Sequence, residues 1–288
     1  MIKHLKCNPA LTGLAEMLPD VVYAKRGNTN LYMQILKPWE PAPEARIERK
    51  RYPAIVFVQG SAWTYPNVYP QIPQLSMLAQ RGFVVATVDH RNSLKGHPFP
   101  AYLEDVKSAI RFLRKNADKY QIDAERIGIW GTSSGGNTAL LVGITADDEA
   151  FKTADNHEVS DSIKLVVDCF GPTYLPGMFD DIESVASDIA DAMVAVFGTD
   201  DKNPMMALAN KMSPLLRLEA GKDYPPFLLL HGNADELVGY GQSVDMYAKL
   251  TELSYDAEMV CVDGAPHEGS FWSRELLEII FEFIEKNI

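Results

Sequence analysis

The chain has 288 residues but contains little cysteine, is short of basic side chains and lacks any long apolar run. Its three cysteines, Cys7, Cys169 and Cys261, are odd in number and widely spaced, so we expect buried free thiols and a reducing compartment rather than disulfides. No segment is long and apolar enough to cross a bilayer, and the first residues lack the apolar region of a secretory signal. The sequence therefore predicts a cytoplasmic protein that makes no membrane contact.

The charge balance and the missing motifs exclude further classes of protein. The 27 basic residues are outnumbered by 39 acidic ones, which argues against nucleic acid as a partner because that binding depends on basic patches. Neither HExxH nor CxxC occurs, and no glycine loop of the phosphate-binding kind is present. We therefore expect no metal ion and no cofactor.

Apolar segments of strand length alternate with helical patterns, which is typical of an α/β protein with a mostly parallel sheet and helices on both faces. Two early strands near 21–24 and 31–36, joined by Gly27-Asn28, predict an antiparallel hairpin at one edge. Six further strands are expected at 54–59, 83–88, 126–131, 164–169, 226–231 and 257–262. The length fits one domain over residues 1–288.

A serine lies between glycines in Gly131-Thr132-Ser133-Ser134-Gly135, after an apolar strand pattern and before a helical one. A serine on such a turn has a strained backbone and an exposed hydroxyl, and the glycines are needed because side chains there would collide with neighbouring elements. The N–H of Ser134, at the start of the helix, is placed to stabilise negative charge next to Ser133. Glycine and serine are also common in ordinary turns, so the pattern needs partners.

An acid and a histidine follow the serine in the order that such a turn requires. Asp235 comes just after the strand that ends at His231-Gly232, and His267 follows the strand at 257–262. A serine hydroxyl becomes a good nucleophile only when an imidazole takes its proton, and a carboxylate must orient that imidazole. The alternatives are a turn aspartate and a helix-start histidine. His231 is still inside its strand, so we interpret it as a packed, hydrogen-bonded strand end.

These motifs carry a resemblance to a known family. The stretches 52–63 and 99–106, the serine turn, His231-Gly232-Asn233-Ala234-Asp235 and the loop at His267 resemble the α/β-hydrolases of the hormone-sensitive-lipase-like and bacterial feruloyl or acetyl esterase kind. The resemblance covers most of the chain. It implies an α/β-hydrolase fold and a cofactor-free serine carboxylester hydrolase in which Ser133 attacks, His267 acts as base and then acid, and Asp235 orients it.

The chain departs from that family in one loop. Where the family usually has His-Gly-Gly-Gly and then an aromatic residue, this sequence has Gln59-Gly60-Ser61-Ala62-Trp63. Because the family holds the oxyanion with backbone N–H groups, Ser61, Ala62 and Ser134 are the oxyanion-hole candidates. Serine and alanine adopt positive φ at a cost that glycine avoids, which puts the loop's shape in question. Trp63 is either packed in the core or a substrate-binding residue.

An insertion over about 171–225 separates two of the predicted strands and is rich in methionine and phenylalanine. Ile182, Val185, Ile189, Met193 and Val196 share a helical face, which predicts a partly helical cap over the active site. The alternative is a segment that only packs on the core.

The resemblance further implies that the substrate is a small-molecule or oligosaccharide ester with a short acyl group, such as an acetylated or feruloylated plant-glycan fragment. Two alternatives stay open. One is an amidase or peptidase of the prolyl oligopeptidase type, although the propeller domain expected for it is missing from the sequence. The other is a hydrolase-fold protein that binds a ligand without turnover.

Overall fold

The computed structural model describes residues 1–41, 50–178 and 187–288, and in these ranges eight strands form one sheet. Its spatial order is β1-β2-β4-β3-β5-β6-β7-β8, antiparallel between β1 and β2 and between β2 and β4, and parallel elsewhere. The expected edge hairpin and mostly parallel sheet are therefore confirmed. The strands are β1 (Ala15–Arg26), β2 (Thr29–Pro38), β3 (Tyr52–Val58), β4 (Val84–Val88), β5 (Ile122–Thr132), β6 (Val166–Cys169), β7 (Phe227–Gly232) and β8 (Ala257–Val262).

Helices cover both faces of this sheet, as the alternating pattern predicted. Buried side chains of α2, α4 and α8 pack into one apolar cluster, and those of α1 and α9 pack into a second one. The helices are α1 (Ile72–Gln80), α2 (Ala101–Lys115), α3 (Ala117–Tyr120), α4 (Ser134–Ile144), α5 (Ser187–Phe197), α6 (Lys202–Lys211), α7 (Pro214–Arg217), α8 (Gly241–Glu252) and α9 (Arg274–Asn287).

The sequence of β3 is apolar without interruption because both faces of this strand are buried. Successive side chains of a strand point to opposite faces, so Val56 enters the first cluster while Ile55 and Phe57 enter the second. Both faces are covered, and each of these side chains is at most 1% exposed. Because the parallel strands of the sheet run in the same direction, their carboxyl ends lie at one edge of the sheet, and the loops that follow them come together there.

The cysteines are free, as expected, but only Cys169 is buried. The prediction of a buried thiol is wrong for Cys261, because β8 is the edge strand of the sheet and exposes part of its surface. Cys7 is exposed as well. In the described part of the chain, no helix has both the length and the apolar character needed for a membrane span.

Candidate active site

Ser133 occupies the junction between β5 and α4. Its backbone has φ 52° and ψ −125°, a conformation that costs a non-glycine residue about 1–3 kcal/mol. The Ser133 N–H donates to the carbonyl oxygen of Cys169 at 2.9 Å, which ties the turn to the neighbouring strand β6. The expected strained turn between a strand and a helix is confirmed.

The two glycines that flank this turn are required by close backbone contacts. A Cβ on Gly131 would lie 2.0 Å from the carbonyl oxygen of Gly135. A Cβ on Gly135 would lie 2.0 Å from the carbonyl oxygen of Val58 on β3. Any side chain at either position would force the helix away from the sheet, so the spacing of the glycines has the expected steric cause.

The structure brings Ser133, Asp235 and His267 together at the carboxyl edge of the sheet. The Nε2 atom of His267 lies 3.0 Å from the Oγ of Ser133, and its Nδ1 lies 2.7 Å from Oδ2 of Asp235. Because a carboxylate can only accept, the proton of a neutral imidazole is on Nδ1, and Nε2 accepts from the serine hydroxyl. This geometry can take a proton from Ser133 and return it to a leaving group.

Asp235 is held by four hydrogen bonds although its side chain is fully buried. Its Oδ1 accepts the backbone N–H groups of Leu237 and Val238, each at 2.9 Å. Its Oδ2 accepts from His267 and from a second imidazole, that of His231. Burial alone would raise the pKa of Asp235, but these bonds outweigh burial and hold the pKa well below its ordinary range. The side chain is therefore an anion.

His231 is packed and hydrogen-bonded as expected, but sequence reasoning missed that its partner is the candidate acid. Its Nε2 lies 3.1 Å from Oδ2 of Asp235 and 2.8 Å from the carbonyl oxygen of Val238, while Nδ1 lies 2.7 Å from the Oγ of Ser243. Both neighbours of Nε2 are acceptors, so the proton is on Nε2. The feature of the sequence that could have indicated this contact is the four-residue spacing of His231 and Asp235 across the strand end.

Phe170 is a second residue that sequence reasoning missed. Its fully buried ring packs edge-on against the imidazole of His267, with the ring centroids 4.6 Å apart. Its backbone has φ 45°, an unusual value for a bulky residue. The buried ring of Phe170 therefore supports one side of the His267 imidazole through a packing contact.

The oxyanion-loop candidates lie beside the serine turn and are tied to it by side-chain hydroxyls. The N–H of Gly60 donates to Oγ1 of Thr132 and that of Ser61 donates to Oγ of Ser134, each at 2.9 Å. The N–H of Ser61 thus has an internal partner. Ala62 takes φ 48°, and no acceptor among the described residues engages its N–H.

A cavity of about 420 Å³ opens over Ser133 and His267. Apolar lining comes from Leu94, Ala192 and Leu237, and Thr64 adds a hydroxyl. Trp63 lies elsewhere: its side chain is 3% exposed and packs in the core, its ring centroid 6.1 Å from that of Tyr102. Substrate contacts within this cavity therefore fall to residues other than Trp63.

The insertion reaches this cavity through α5, which supplies Ala192. Met193 and Val196 on the same helix are buried, in agreement with the predicted apolar face. The rest of that face, Ile182, Val185 and the side chain of Ile189, lies outside the described residues. No group of three or more His, Cys, Asp or Glu side chains in the described ranges is placed to hold a metal ion.

Comparisons with known proteins find esterases that are similar to this chain. A sequence model of the BD-FAE family matches residues 43–250. Esterase LipC of Mycobacterium tuberculosis is 31% identical over 71% of this chain and 50% of its own length, and esterase LipQ of the same organism is 28% identical over 83% and 53%. The chain thus spans about half the length of these curated relatives.

Solved structures with a similar fold cover nearly the whole chain. A truncated carbohydrate esterase from gut microbiota is 27% identical, with a TM-score of 0.76 over 96% of this chain and 98% of its own. A propionate-bound esterase of Thermogutta terrifontis is 26% identical, with a TM-score of 0.74 over 96% of each chain. These likenesses confirm the α/β-hydrolase fold.

Proposed function

Because the chain belongs to the BD-FAE family of α/β-hydrolases, we propose that it is a serine carboxylester hydrolase. The observation that supports this proposal best is the hydrogen-bonded series Asp235, His267, Ser133, which opens into a cavity of about 420 Å³. That volume lies in the usual range for small-ligand sites.

In the proposed reaction, His267 takes the proton of Ser133 while the serine oxygen forms a bond to the ester carbonyl carbon. The resulting oxyanion is stabilised by backbone N–H groups, for which Ala62 and Ser134 are the first candidates and Ser61 the next. His267 then protonates the departing alcohol as its bond to the carbonyl carbon breaks. Water hydrolyses the acyl-enzyme by the same proton transfers, and Asp235 remains ionised throughout.

The proposed substrate is an ester with a short acyl group on a glycan fragment. Leu94, Ala192 and Leu237 give the cavity an apolar lining suited to a small acyl chain. The glycan part rests on the similarity to a protein named as a carbohydrate esterase from gut microbiota. A cap formed in part by α5 belongs to the same proposal.

The test is a panel of 4-nitrophenyl esters of rising acyl length, with acetylated xylo-oligosaccharides and methyl ferulate, and Ser133→Ala as control. We expect hydrolysis that favours short acyl groups and falls about 10⁴-fold or more in Ser133→Ala. A serine-directed phosphonate should label the wild-type protein at Ser133. Ester hydrolysis retained in Ser133→Ala would refute the assignment of the nucleophile, and absence of both labelling and turnover would favour a binding protein.

A further inference from the structure

The chain leaves the cavity through a short segment whose side chains alternate between exposed and buried. Thr64 lines the cavity; beyond it Tyr65, Asn67 and Tyr69 are exposed, whereas Pro66 and Val68 are buried. Tyr65 and Tyr69 expose 58% and 54% of their surface, which is a large fraction for aromatic residues. We call Tyr65, Asn67 and Tyr69 the aromatic strip.

The aromatic strip is anchored to the edge hairpin of the sheet. The hydroxyl of Tyr69 donates to Oδ1 of Asp20 on β1 at 3.4 Å. Within the strip, the Tyr69 N–H donates to Oδ1 of Asn67 at 3.3 Å, which leaves the amide nitrogen of Asn67 as a donor. On β2, Nδ2 of Asn30 donates to the hydroxyl of Tyr32 at 3.2 Å.

The carboxylate of Asp20 is fixed in place although it is exposed. It lies where the pairing of β1 with β2 is interrupted, with φ 52°. Gln34, only 1% exposed, accepts the Asp20 N–H at 2.9 Å and donates to its Oδ1 at 3.0 Å. A left-handed conformation costs about 1–2 kcal/mol, so this pair of bonds holds an unfavourable geometry.

The tyrosines and acids of this region interact electrostatically. The pKa of Tyr65 is raised, first by partial burial and then by neighbouring groups that disfavour its anion. Those neighbours are Asp89, Tyr69, Asp20 and Tyr32.

This combination of groups is suited to a neutral sugar. A sugar ring has apolar C–H faces, which pack on the flat face of a phenol, and a rim of hydroxyls, which need donors and acceptors. Tyr65 and Tyr69 supply rings with hydroxyls, Asn67 supplies an amide, and Asp20 supplies a fixed acceptor. A carboxylate at this position disfavours acidic ligands, because like charges repel.

The strip is next to the cavity along the chain, since Tyr65 directly follows Thr64, which lines the cavity. Tyr69 lies five residues beyond Thr64, at most about 18 Å along an extended chain. We propose that the aromatic strip, together with Asp20, binds the neutral oligosaccharide that carries the ester. This proposal rests on the proposed function, because it assumes that the ester lies over Ser133.

The test compares Tyr65→Ala/Tyr69→Ala with the wild-type protein, and Tyr65→Phe/Tyr69→Phe shows what the rings alone contribute. Trp39→Ala is the matched control, because Trp39 is a 47% exposed aromatic residue that follows the end of β2 farthest from the carboxyl edge. One measurement is kcat/KM on acetylated xylo-oligosaccharides divided by kcat/KM on 4-nitrophenyl acetate. The other is the Kd of unacetylated xylohexaose for the Ser133→Ala protein with and without the two tyrosines, by calorimetry.

We expect the double alanine variant to lower the kcat/KM ratio and to raise Kd, each by about tenfold or more, since a few aromatic anchors carry most of the affinity at a binding surface. The phenylalanine variant should retain most of both, and Trp39→Ala should change neither. A ratio and a Kd that stay the same in the double alanine variant would overturn the proposal.

The two proposals fail in different ways. If the wild-type protein hydrolyses neither ester but Ser133→Ala binds xylohexaose through the tyrosines, the proposed function is wrong and the strip remains a glycan site. If sedimentation shows a dimer that the double alanine variant loses, while Kd for xylohexaose is unchanged, the strip is a contact between two copies of the chain and the glycan proposal is wrong.

Discussion

Replacing Asp168 by asparagine should make the stability of this protein less dependent on pH. Asp168 lies on β6, fully buried, and its Oδ1 accepts the N–H of Gly171 at 3.0 Å. Its Oδ2 has no hydrogen-bond partner among the described residues. Burial raises the pKa of Asp168 from 3.8 to about 7, although His231 and the Gly171 N–H partly oppose this shift.

The sign and the size of the effect follow from that shift. At a pH between the pKa of Asp168 in the unfolded chain and its pKa in the folded protein, Asp168 keeps its proton when folded and loses it on unfolding. The stability of the folded protein therefore falls as the pH rises through this range. The stabilisation is complete below pH 4 and is lost by about pH 7. At about 1.4 kcal/mol per pH unit the whole effect is roughly 4 kcal/mol, of which about 3 kcal/mol is lost between pH 5 and pH 8.

Asp168→Asn removes the ionisation while it keeps the shape and the Oδ1 acceptor. The new amide nitrogen replaces the unpartnered Oδ2, which costs about 1–3 kcal/mol at any pH. The free energy of unfolding of the variant, relative to wild type, should therefore increase by about 3 kcal/mol from pH 5 to pH 8.

Urea unfolding followed by tryptophan fluorescence at a series of pH values measures this difference, and all unchanged titrating groups cancel in it. Asp245→Asn, at an exposed position on α8, controls for the change of residue type. A difference between Asp168→Asn and wild type that is the same at pH 5 and pH 8 would show that Asp168 ionises in the folded protein as it does in the unfolded chain.

Three further predictions concern the candidate active site. His231→Phe removes a hydrogen bond to an anion and should lower kcat about 10- to 100-fold with little change in KM. His231→Gln keeps a hydrogen-bond donor, so its kcat should fall less. Equal losses of kcat in the two variants would contradict a positioning role for His231. Ser134→Ala frees the N–H of Ser61 and should lower kcat about fivefold, and an unchanged kcat would show that this bond does not position the loop. Asp235→Asn should reduce kcat by as much as Ser133→Ala or less. Because the pKa of Asp235 is lowered, its contribution to stability is present above pH 4 and is lost as the pH falls further, so acid titration should show a smaller loss in the asparagine variant.

The parts of the molecule that could be predicted from the sequence are those that depend on local patterns. The strand β3 is a continuous apolar run because both of its faces are covered, and the glycines around Ser133 are required by backbone contacts within a few residues or with the adjacent strand. The exposure of Cys261 could not be predicted in this way, because an apolar strand pattern does not tell an edge strand from a central one.

The contact between His231 and Asp235, which lies across a turn, could not be predicted. The sequence shows His231 and Asp235 four residues apart, but only the bend after β7 turns both side chains toward the same point. Asp168 offered a clearer signal, since a carboxylate inside the apolar run Val166-Val167-Asp168-Cys169 must be buried with its charge altered or compensated.

Three consecutive residues carry a hydroxyl group, Thr132, Ser133 and Ser134, and the turn gives these hydroxyls different functions. The left-handed backbone of the middle residue brings its Oγ to the imidazole, while the outer two hydroxyls accept the N–H groups of the neighbouring loop. That loop contains Ala62 and Trp63 at φ 48° and 58°, each of which costs about 1–2 kcal/mol. Two hydrogen bonds of about 1 kcal/mol each, together with the burial of the tryptophan ring, are enough to offset that cost. Alanine and tryptophan can therefore stand at positions where glycine would be unstrained.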